Sequence, residues 1–154
     1  RLAEGIPAEA RKALWELRRR GHRLIVASCG TADLSEAILR AAGVLEAFEA
    51  LLANRFAYAG EAIAGLHLAV PSPQAKLEAL RSAGLEPGST VAVGDGLTDL
   101  PLLAWAGVPV IVAPDGARCA RCAGRAGWSR RLGRACTVVR SISEIPEVVR
   151  RHGG

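Results

Sequence analysis

The sequence predicts an α/β fold in which a parallel sheet is covered by helices on both faces. Three short apolar runs without alternation, HRLIVASCG (22–30), STVAVGD (89–95) and VPVIVAP (108–114), are typical of strands buried on both faces. Segments with apolar residues at helical spacing separate these runs along the chain. Strands that alternate with helices in this way favour a parallel sheet.

Helical periodicity and terminating residues define the first two helices. Apolar residues at helical spacing predict a helix over 7–21, and Gly21 is a typical residue for its end. A second helix is predicted over 31–43, with Thr31 or Asp33 as its N-cap. The remaining predicted elements are, in chain order, a short strand at 49–56, a hairpin at 55–68 that turns at Gly60, helices at 72–84 and 100–107, an arginine-rich helix within 116–135, a strand at 136–141 and a helix at 142–153.

The composition is that of a single domain with a hydrophobic core. Of the 154 residues 50% are hydrophobic, and no linker, internal repeat or low-complexity tract divides the chain. We therefore predict one domain, 1–154. Nothing in the sequence resembles a secretory signal, and no apolar run approaches the ~20 residues that span a bilayer. These features favour a cytoplasmic protein without a membrane partner.

The positive charge is concentrated near the end of the chain. The net charge is +5, and arginines gather in the segment 116–135. Such a segment can form a nucleic-acid-binding face. It contains one aromatic residue and no known nucleic-acid-binding motif, so we favour a solvated helix and loop and predict no specific nucleic-acid partner.

The four cysteines are Cys29, Cys119, Cys122 and Cys136. Cys119 and Cys122 form a C-x-x-C pair, whereas a structural zinc site needs four ligands, usually from two such pairs. Reduced thiols are therefore favoured over a metal or redox site. The role of the pair is left open.

Polar residues follow the first buried strand. In open parallel α/β sheets, ligands bind beyond the carboxyl ends of the strands. The run LIVAS places Ser28 there, with the backbone N–H groups of Cys29 and Gly30 next to a predicted helix start. Backbone amides and a helix dipole both favour an anion, so this segment predicts a phosphate site.

Two carboxylates follow the second buried strand. The run VAVGD delivers Asp95, and Asp99 lies four residues further on. Carboxylates this close repel each other unless a cation is present, and oxygen ligands at a phosphate site indicate Mg²⁺. Lys76, one of only two lysines among the 20 basic residues, can neutralise the same anion.

Each of these residues also has an ordinary structural interpretation. Ser28 can be a helix cap, Asp99 an acid in a first helical turn, and Lys76 a surface lysine. The prediction of a site depends on their ordered combination.

That ordered combination resembles the haloacid dehalogenase (HAD) superfamily. A strand ending in Ser28, then Lys76, then Gly94-Asp95-Gly96-x-x-Asp99 is similar to the last three of its four motifs. The stretches LRRRGHRLIVASCG, LLANRFAY and VAVGDGLTDLPLL look most like its phosphoserine phosphatase-like branch. The resemblance covers roughly residues 6–145, and it implies a three-layer Rossmann-like parallel sheet.

The resemblance also implies roles for individual residues. Ser28, with the amides of Cys29 and Gly30, would hold the phosphoryl group, and Lys76 would stabilise its charge. Asp95 would bind Mg²⁺, and Asp99 would support the metal site. The implied activity is Mg²⁺-dependent hydrolysis of a phosphomonoester, with a small phosphorylated metabolite as the substrate.

One motif of the superfamily is missing. Its nucleophile is an aspartate in an Asp-x-Asp motif on the first strand, but the aspartates of this chain are Asp33, Asp95, Asp99 and Asp115, with no D-x-D. By the resemblance, the central strand and the cap domain are also missing. The chain contains no methionine, even at its first position, which favours loss of an N-terminal part. Because covalent catalysis requires its nucleophile, we predict that the chain alone is inactive.

Two alternatives stay open at this point. The chain can be a non-catalytic phosphate-binding or regulatory module, which would bind phosphate or Mg²⁺ without hydrolysis. It can also be an arginine-driven nucleic-acid binder, whose binding would depend on salt. Neither the particular substrate nor the oligomeric state follows from the sequence.

Overall fold

A computed structural model describes residues 5–113 and 124–152 of the chain. The chain divides into two compact units, Arg1–Ala83 and Gly84–Gly154, each containing a three-stranded sheet. That these units form the single domain 1–154 stays a prediction. Cys119, Cys122 and the first part of the arginine-rich segment lie outside the described residues.

The first unit contains a mixed sheet with the strand order β1-β2-β3. β1 and β2 are parallel, whereas β2 and β3 form an antiparallel hairpin. Helix α3 packs against β1 and β2. The elements of the unit are α1 (Ala8–Arg19), β1 (Ile25–Thr31), α2 (Ala32–Ala41), β2 (Ala50–Ala59), β3 (Ala62–His67) and α3 (Pro73–Ser82).

The ends of these elements match the signals in the sequence. Gly21 follows α1 with a φ of 85°, and Gly60 turns the hairpin with a φ of 64°, both in the left-handed region that glycine adopts without strain. Ser72 caps α3, and its hydroxyl accepts a hydrogen bond from the Ala75 N–H at 3.1 Å. The predicted strand 49–56 and the first half of the predicted hairpin form one continuous strand, β2.

The second unit contains a parallel sheet with the strand order β4-β5-β6. Its centre is β5, in which Val110 and Ile111 are buried. The elements of the unit are β4 (Val91–Gly94), α4 (Leu100–Trp105), β5 (Val108–Val112), α5 (Gly124–Leu132), β6 (Thr137–Val139) and α6 (Ile145–His152).

The predicted α/β class is confirmed, with one correction to the burial of the strands. We expected β1 and β4 to be buried on both faces, but β1 is half-buried and Val93 of β4 is 38% exposed. Each is an edge strand of its own sheet, with one hydrogen-bonded neighbour, so less of its surface is covered. Across residues 5–113 and 124–152, each helix is either too short or too polar to span a bilayer.

Asp33 joins α2 to β2 instead of capping its own helix. Thr31 occupies the N-cap position of α2, while the Asp33 carboxylate accepts hydrogen bonds from the Phe56 N–H at 3.1 Å and the Tyr58 hydroxyl at 3.4 Å. The Phe56 N–H, with a smaller contribution from Tyr58, holds the pKa of Asp33 below its ordinary value. The ionised carboxylate therefore stabilises the folded state.

We expect Asp33→Asn to lower the thermal stability at pH 7 and to have little effect at acidic pH. Since the folded-state pKa is lowered, the stabilisation is present above the ordinary value of 3.8 and is lost as the pH falls through the folded-state pKa. The Tm of the unmodified chain and of Asp33→Asn should be measured from pH 7 down to pH 2.5. The lower limit is about one unit below the ordinary pKa of 3.8. Glu46→Gln, on an exposed residue of the same unit, is the control. A difference in Tm that does not change with pH would contradict the prediction.

Candidate active site

The end of β1 departs from regular pairing at the predicted phosphate-binding residues. In the ladder between β1 and β2, Ala27 pairs with Leu52 and the next pair is Thr31 with Asn54. Three residues of β1, 28–30, therefore stand opposite a single residue of β2. Bulges of this kind redirect backbone groups out of a ladder and occur often beside active sites. We call residues 28–30 the β1 bulge.

Within the β1 bulge, Ser28 and Gly30 are in direct contact. The Gly30 N–H donates a hydrogen bond to the Ser28 Oγ at 3.0 Å, and a Cβ atom on Gly30 would lie 3.2 Å from that oxygen. Gly30 is exposed. A hydroxyl and a backbone N–H thus lie together at an accessible strand end, which is a suitable pair of groups for an anion oxygen. Thr31 alone separates the bulge from α2.

Lys76 lies on the helix that packs against this strand. It is in the first half of α3, and it is only 5% exposed. Lysine is almost never buried to this extent unless it has a partner, because the ammonium loses its hydration. The simple interpretation as a surface lysine is therefore wrong. Lys12, the other lysine, is exposed on α1.

Asn54 is the residue that the sequence analysis missed. It is 4% exposed. Asn54 and Lys76 are the two buried polar or charged residues in the described part of the chain. The Asn54 side-chain amide donates to the Cys29 carbonyl at 2.8 Å and contacts both backbone groups of Val70. The available signal was an asparagine inside the apolar run ALLANRF, where a polar side chain needs hydrogen-bonding partners.

In the second unit, the two predicted metal ligands are part of one tight turn. β4 ends at Gly94, and a short 3₁₀ turn, Leu97–Asp99, leads into α4. One oxygen of Asp99, Oδ2, accepts hydrogen bonds from the Asp95 N–H at 3.2 Å and the Gly96 N–H at 3.4 Å. Asp95 is exposed. The turn therefore holds both carboxylates beyond the carboxyl end of β4.

The donor chemistry of this turn is compatible with Mg²⁺. Mg²⁺ usually keeps several water ligands and takes one or two carboxylates from the protein, and this turn supplies two. Within residues 5–113 and 124–152, there is no group of three or more His, Cys, Asp or Glu residues that would suit a metal ion. Two carboxylates are fewer than the four ligands of structural zinc, and Mg²⁺ binding at this turn stays a prediction.

Gly94 permits the close approach of Asp99. A Cβ atom on Gly94 would lie 2.6 Å from the Asp99 Cβ and 2.7 Å from its Oδ2. Because the Asp99 Cβ is attached directly to the backbone, the turn itself would have to move.

We expect Gly94→Ala to destabilise the fold by about 1–3 kcal/mol, the usual effect of overpacking, and to lower the affinity for Mg²⁺. Chemical denaturation and a Mg²⁺ titration would measure the two effects. Gly96→Ala is a matched control, since its Cβ would have only the Thr98 hydroxyl nearby, at 3.8 Å. Equal stability of the two variants would show that the turn adapts freely.

The structure therefore brings the predicted residues together in two groups. In the first unit, Ser28 and Gly30 are in contact, and the helix of Lys76 packs against their strand. In the second unit, Asp95 and Asp99 share a turn.

An α/β fold with polar residues at its strand ends, a buried lysine and a pair of carboxylates is compatible with an enzyme that acts on phosphate groups. A model of the haloacid dehalogenase-like hydrolases matches residues 2–107. Because this match covers more than half of the chain, the chain belongs to the haloacid dehalogenase-like hydrolase family. The predicted superfamily is confirmed.

Solved structures of phosphoserine phosphatases share the fold. A substrate-bound phosphoserine phosphatase superposes with a TM-score of 0.63 at 22% identity, over 92% of this chain and 61% of its own. A phospho-aspartyl intermediate analogue of phosphoserine phosphatase gives 0.64 at 23% identity, over 90% and 61%. A probable phosphoserine phosphatase from Vibrio cholerae, in unliganded form, gives 0.68 at 21% identity, over 96% and 43%.

The present chain thus spans about three fifths of the first two proteins or less than half of the third. At these identities the likeness shows the fold alone, and the phosphoserine phosphatase-like branch stays a prediction. Among curated proteins, no significant match to the sequence was found.

Proposed function

We propose that the chain is the C-terminal part of a Mg²⁺-dependent phosphomonoester hydrolase similar to phosphoserine phosphatase. The observation that carries this proposal is the buried Lys76 on a helix packed against the strand of the β1 bulge. The bulge offers a hydroxyl and an amide, and the lysine offers a positive charge. Hydroxyl, amide and ammonium groups all donate hydrogen bonds to phosphate oxygens, and the ammonium also compensates their charge.

Each group has a distinct role in this proposal. Ser28 and the amides of Cys29 and Gly30 bind oxygens of the phosphoryl group. Lys76 compensates the charge that grows on those oxygens during transfer, so its effect is largest in the transition state.

The carboxylate of Asp95 would hold Mg²⁺, and Asp99 would keep the turn and its carboxylate in place through the amides of Asp95 and Gly96. When bound, the metal ion would neutralise phosphate charge. The substrate is a small phosphorylated metabolite, and a cytoplasmic location is part of the proposal.

This chain has no Asp-x-Asp sequence, so it carries no candidate for the nucleophile at the expected place. Binding and turnover are therefore expected to behave differently in this chain. The chain by itself binds inorganic phosphate and Mg²⁺ but does not hydrolyse a phosphomonoester, because the covalent step has no attacking group.

Isothermal titration with inorganic phosphate in the presence and absence of Mg²⁺, together with an assay on p-nitrophenyl phosphate, tests this proposal. We expect saturable binding and no hydrolysis above the buffer rate. Absence of phosphate binding would refute the proposed site. Expression of the reading frame extended upstream of Arg1 then distinguishes a hydrolase from a module that only binds phosphate. If the protein is a hydrolase, the extended chain should hydrolyse p-nitrophenyl phosphate.

A further inference from the structure

We infer that Asn54 is a positioning residue for phosphate binding: it orients the Cys29–Gly30 peptide and ties it to the segment that begins α3. The inference rests on the proposed phosphate site in the first unit. It starts from the unusual burial of the Asn54 amide and from its three hydrogen bonds.

The first contact determines which way a peptide group points. The Asn54 Nδ2 donates to the Cys29 carbonyl oxygen at 2.8 Å. The Cys29 carbonyl and the Gly30 N–H belong to one planar trans peptide, so they point in opposite directions. Holding the carbonyl towards the Asn54 side chain therefore directs the Gly30 N–H to the opposite side of the peptide, where it meets the Ser28 Oγ at 3.0 Å. This N–H is one of the proposed phosphate donors, and a phosphate oxygen would replace the Ser28 Oγ as its acceptor.

The bulge explains why a side chain is needed for this task. In a regular ladder, a backbone N–H of β2 would bond the carbonyl of its β1 neighbour. Between the Ala27–Leu52 and Thr31–Asn54 pairs, β2 has one residue for three of β1, so the regular alternation of donors is interrupted. The Asn54 amide supplies a donor at this point. The peptide is thus fixed before any ligand arrives, which reduces the entropy lost on binding.

The remaining contacts connect the same side-chain amide to the segment that precedes α3, the helix that carries Lys76. The Asn54 Oδ1 accepts from the Val70 N–H at 2.8 Å, and the Nδ2 also donates to the Val70 carbonyl at 3.2 Å. Val70 lies two residues before Ser72, the N-cap of α3. One buried side chain therefore fixes both the Gly30 N–H and the start of the helix that carries Lys76.

The test compares Asn54→Leu with the unmodified chain, using inorganic phosphate as the ligand. Leucine has a similar size and no charge, so it removes the hydrogen bonds without repelling an anion. We expect the Kd for phosphate to rise about tenfold or more, the equivalent of one hydrogen bond to a charged group. We also expect the ¹H–¹⁵N resonance of Gly30 to shift in the absence of phosphate. If Asn54→Leu does not fold, Asn54→Ser replaces it, because a serine hydroxyl is too short to bind Cys29 and Val70 together.

Val44→Ala controls for a loss of stability alone. Val44 is fully buried in the same unit, in the segment that precedes β2. This variant should melt earlier, yet its Kd for phosphate should change less than about twofold once the protein is folded. A folded Asn54 variant with an unchanged Gly30 resonance and an unchanged Kd overturns the inference.

The two proposals can fail separately. If the unmodified chain does not bind phosphate, the proposed function is wrong. The Gly30 resonance still decides whether Asn54 orients the peptide, because that shift is measured without ligand.

Discussion

Replacing Lys76 by methionine is expected to weaken the binding of inorganic phosphate by about 10- to 100-fold, the range for loss of a hydrogen bond between charged groups. Lys76 is buried on α3, which packs against the strand of the β1 bulge. A charge in a poorly hydrated environment interacts more strongly with an anion than a charge in water does. Methionine keeps a flexible apolar side chain of similar length, so the space around the lysine stem stays filled.

The chain provides a matched control for this experiment. Lys12 is the only other lysine, and it is exposed on α1. Lys12→Met removes the same charge from the protein, so any general effect of net charge appears equally in both variants. Isothermal titration with phosphate at two salt concentrations would compare them. If both variants bind phosphate like the unmodified chain, Lys76 does not belong to the phosphate site.

The second large effect is expected for Asp95→Asn, which should lower the affinity for Mg²⁺ by about 100-fold. Hard oxygen ligands and their negative charge provide most of the affinity for Mg²⁺, and the substitution removes a full charge from the exposed carboxylate. The hydrogen bond to Asp99 uses the backbone N–H of residue 95, so the turn should keep its conformation. Titration with Mg²⁺, and with Mn²⁺ as a spectroscopic probe, would measure the change.

Glu86→Gln is the control for Asp95→Asn. Glu86 is exposed in the same unit and precedes β4, whereas Asp95 follows it, and the chemical change is identical. The affinity of Glu86→Gln for Mg²⁺ should equal that of the unmodified chain within about twofold. Equal losses in both variants would indicate general electrostatic attraction in place of a defined site.

Much of the fold could be predicted because local signals and tertiary structure agree. Gly21 and Gly60 adopt the left-handed conformations that their positions suggested. The apolar run at 108–114 became the central strand β5, with its middle residues buried. At these positions, propensity, turn chemistry and burial all favour the same structure.

The residues that were misjudged depend on contacts between distant parts of the chain. The burial of Lys76 follows from the packing of α3, and helical periodicity alone does not distinguish a buried lysine from an exposed one. Asn54 contacts Cys29 and Val70, which lie 25 and 16 residues away. The β1 bulge is a mismatch between two strands, so neither strand reveals it alone.

Strand β2 has two different partners along its length. Its first half pairs with β1 and includes Asn54, whereas its second half pairs with β3, whose six residues are all exposed. Insertions and substitutions near Gly60 therefore have little effect on the core, while changes a few residues earlier reach the β1 bulge. We therefore expect the tip of the hairpin, next to Gly60, to tolerate changes in length and sequence better than the half of β2 that includes Asn54. Selection should act on the two halves of this one strand at different rates.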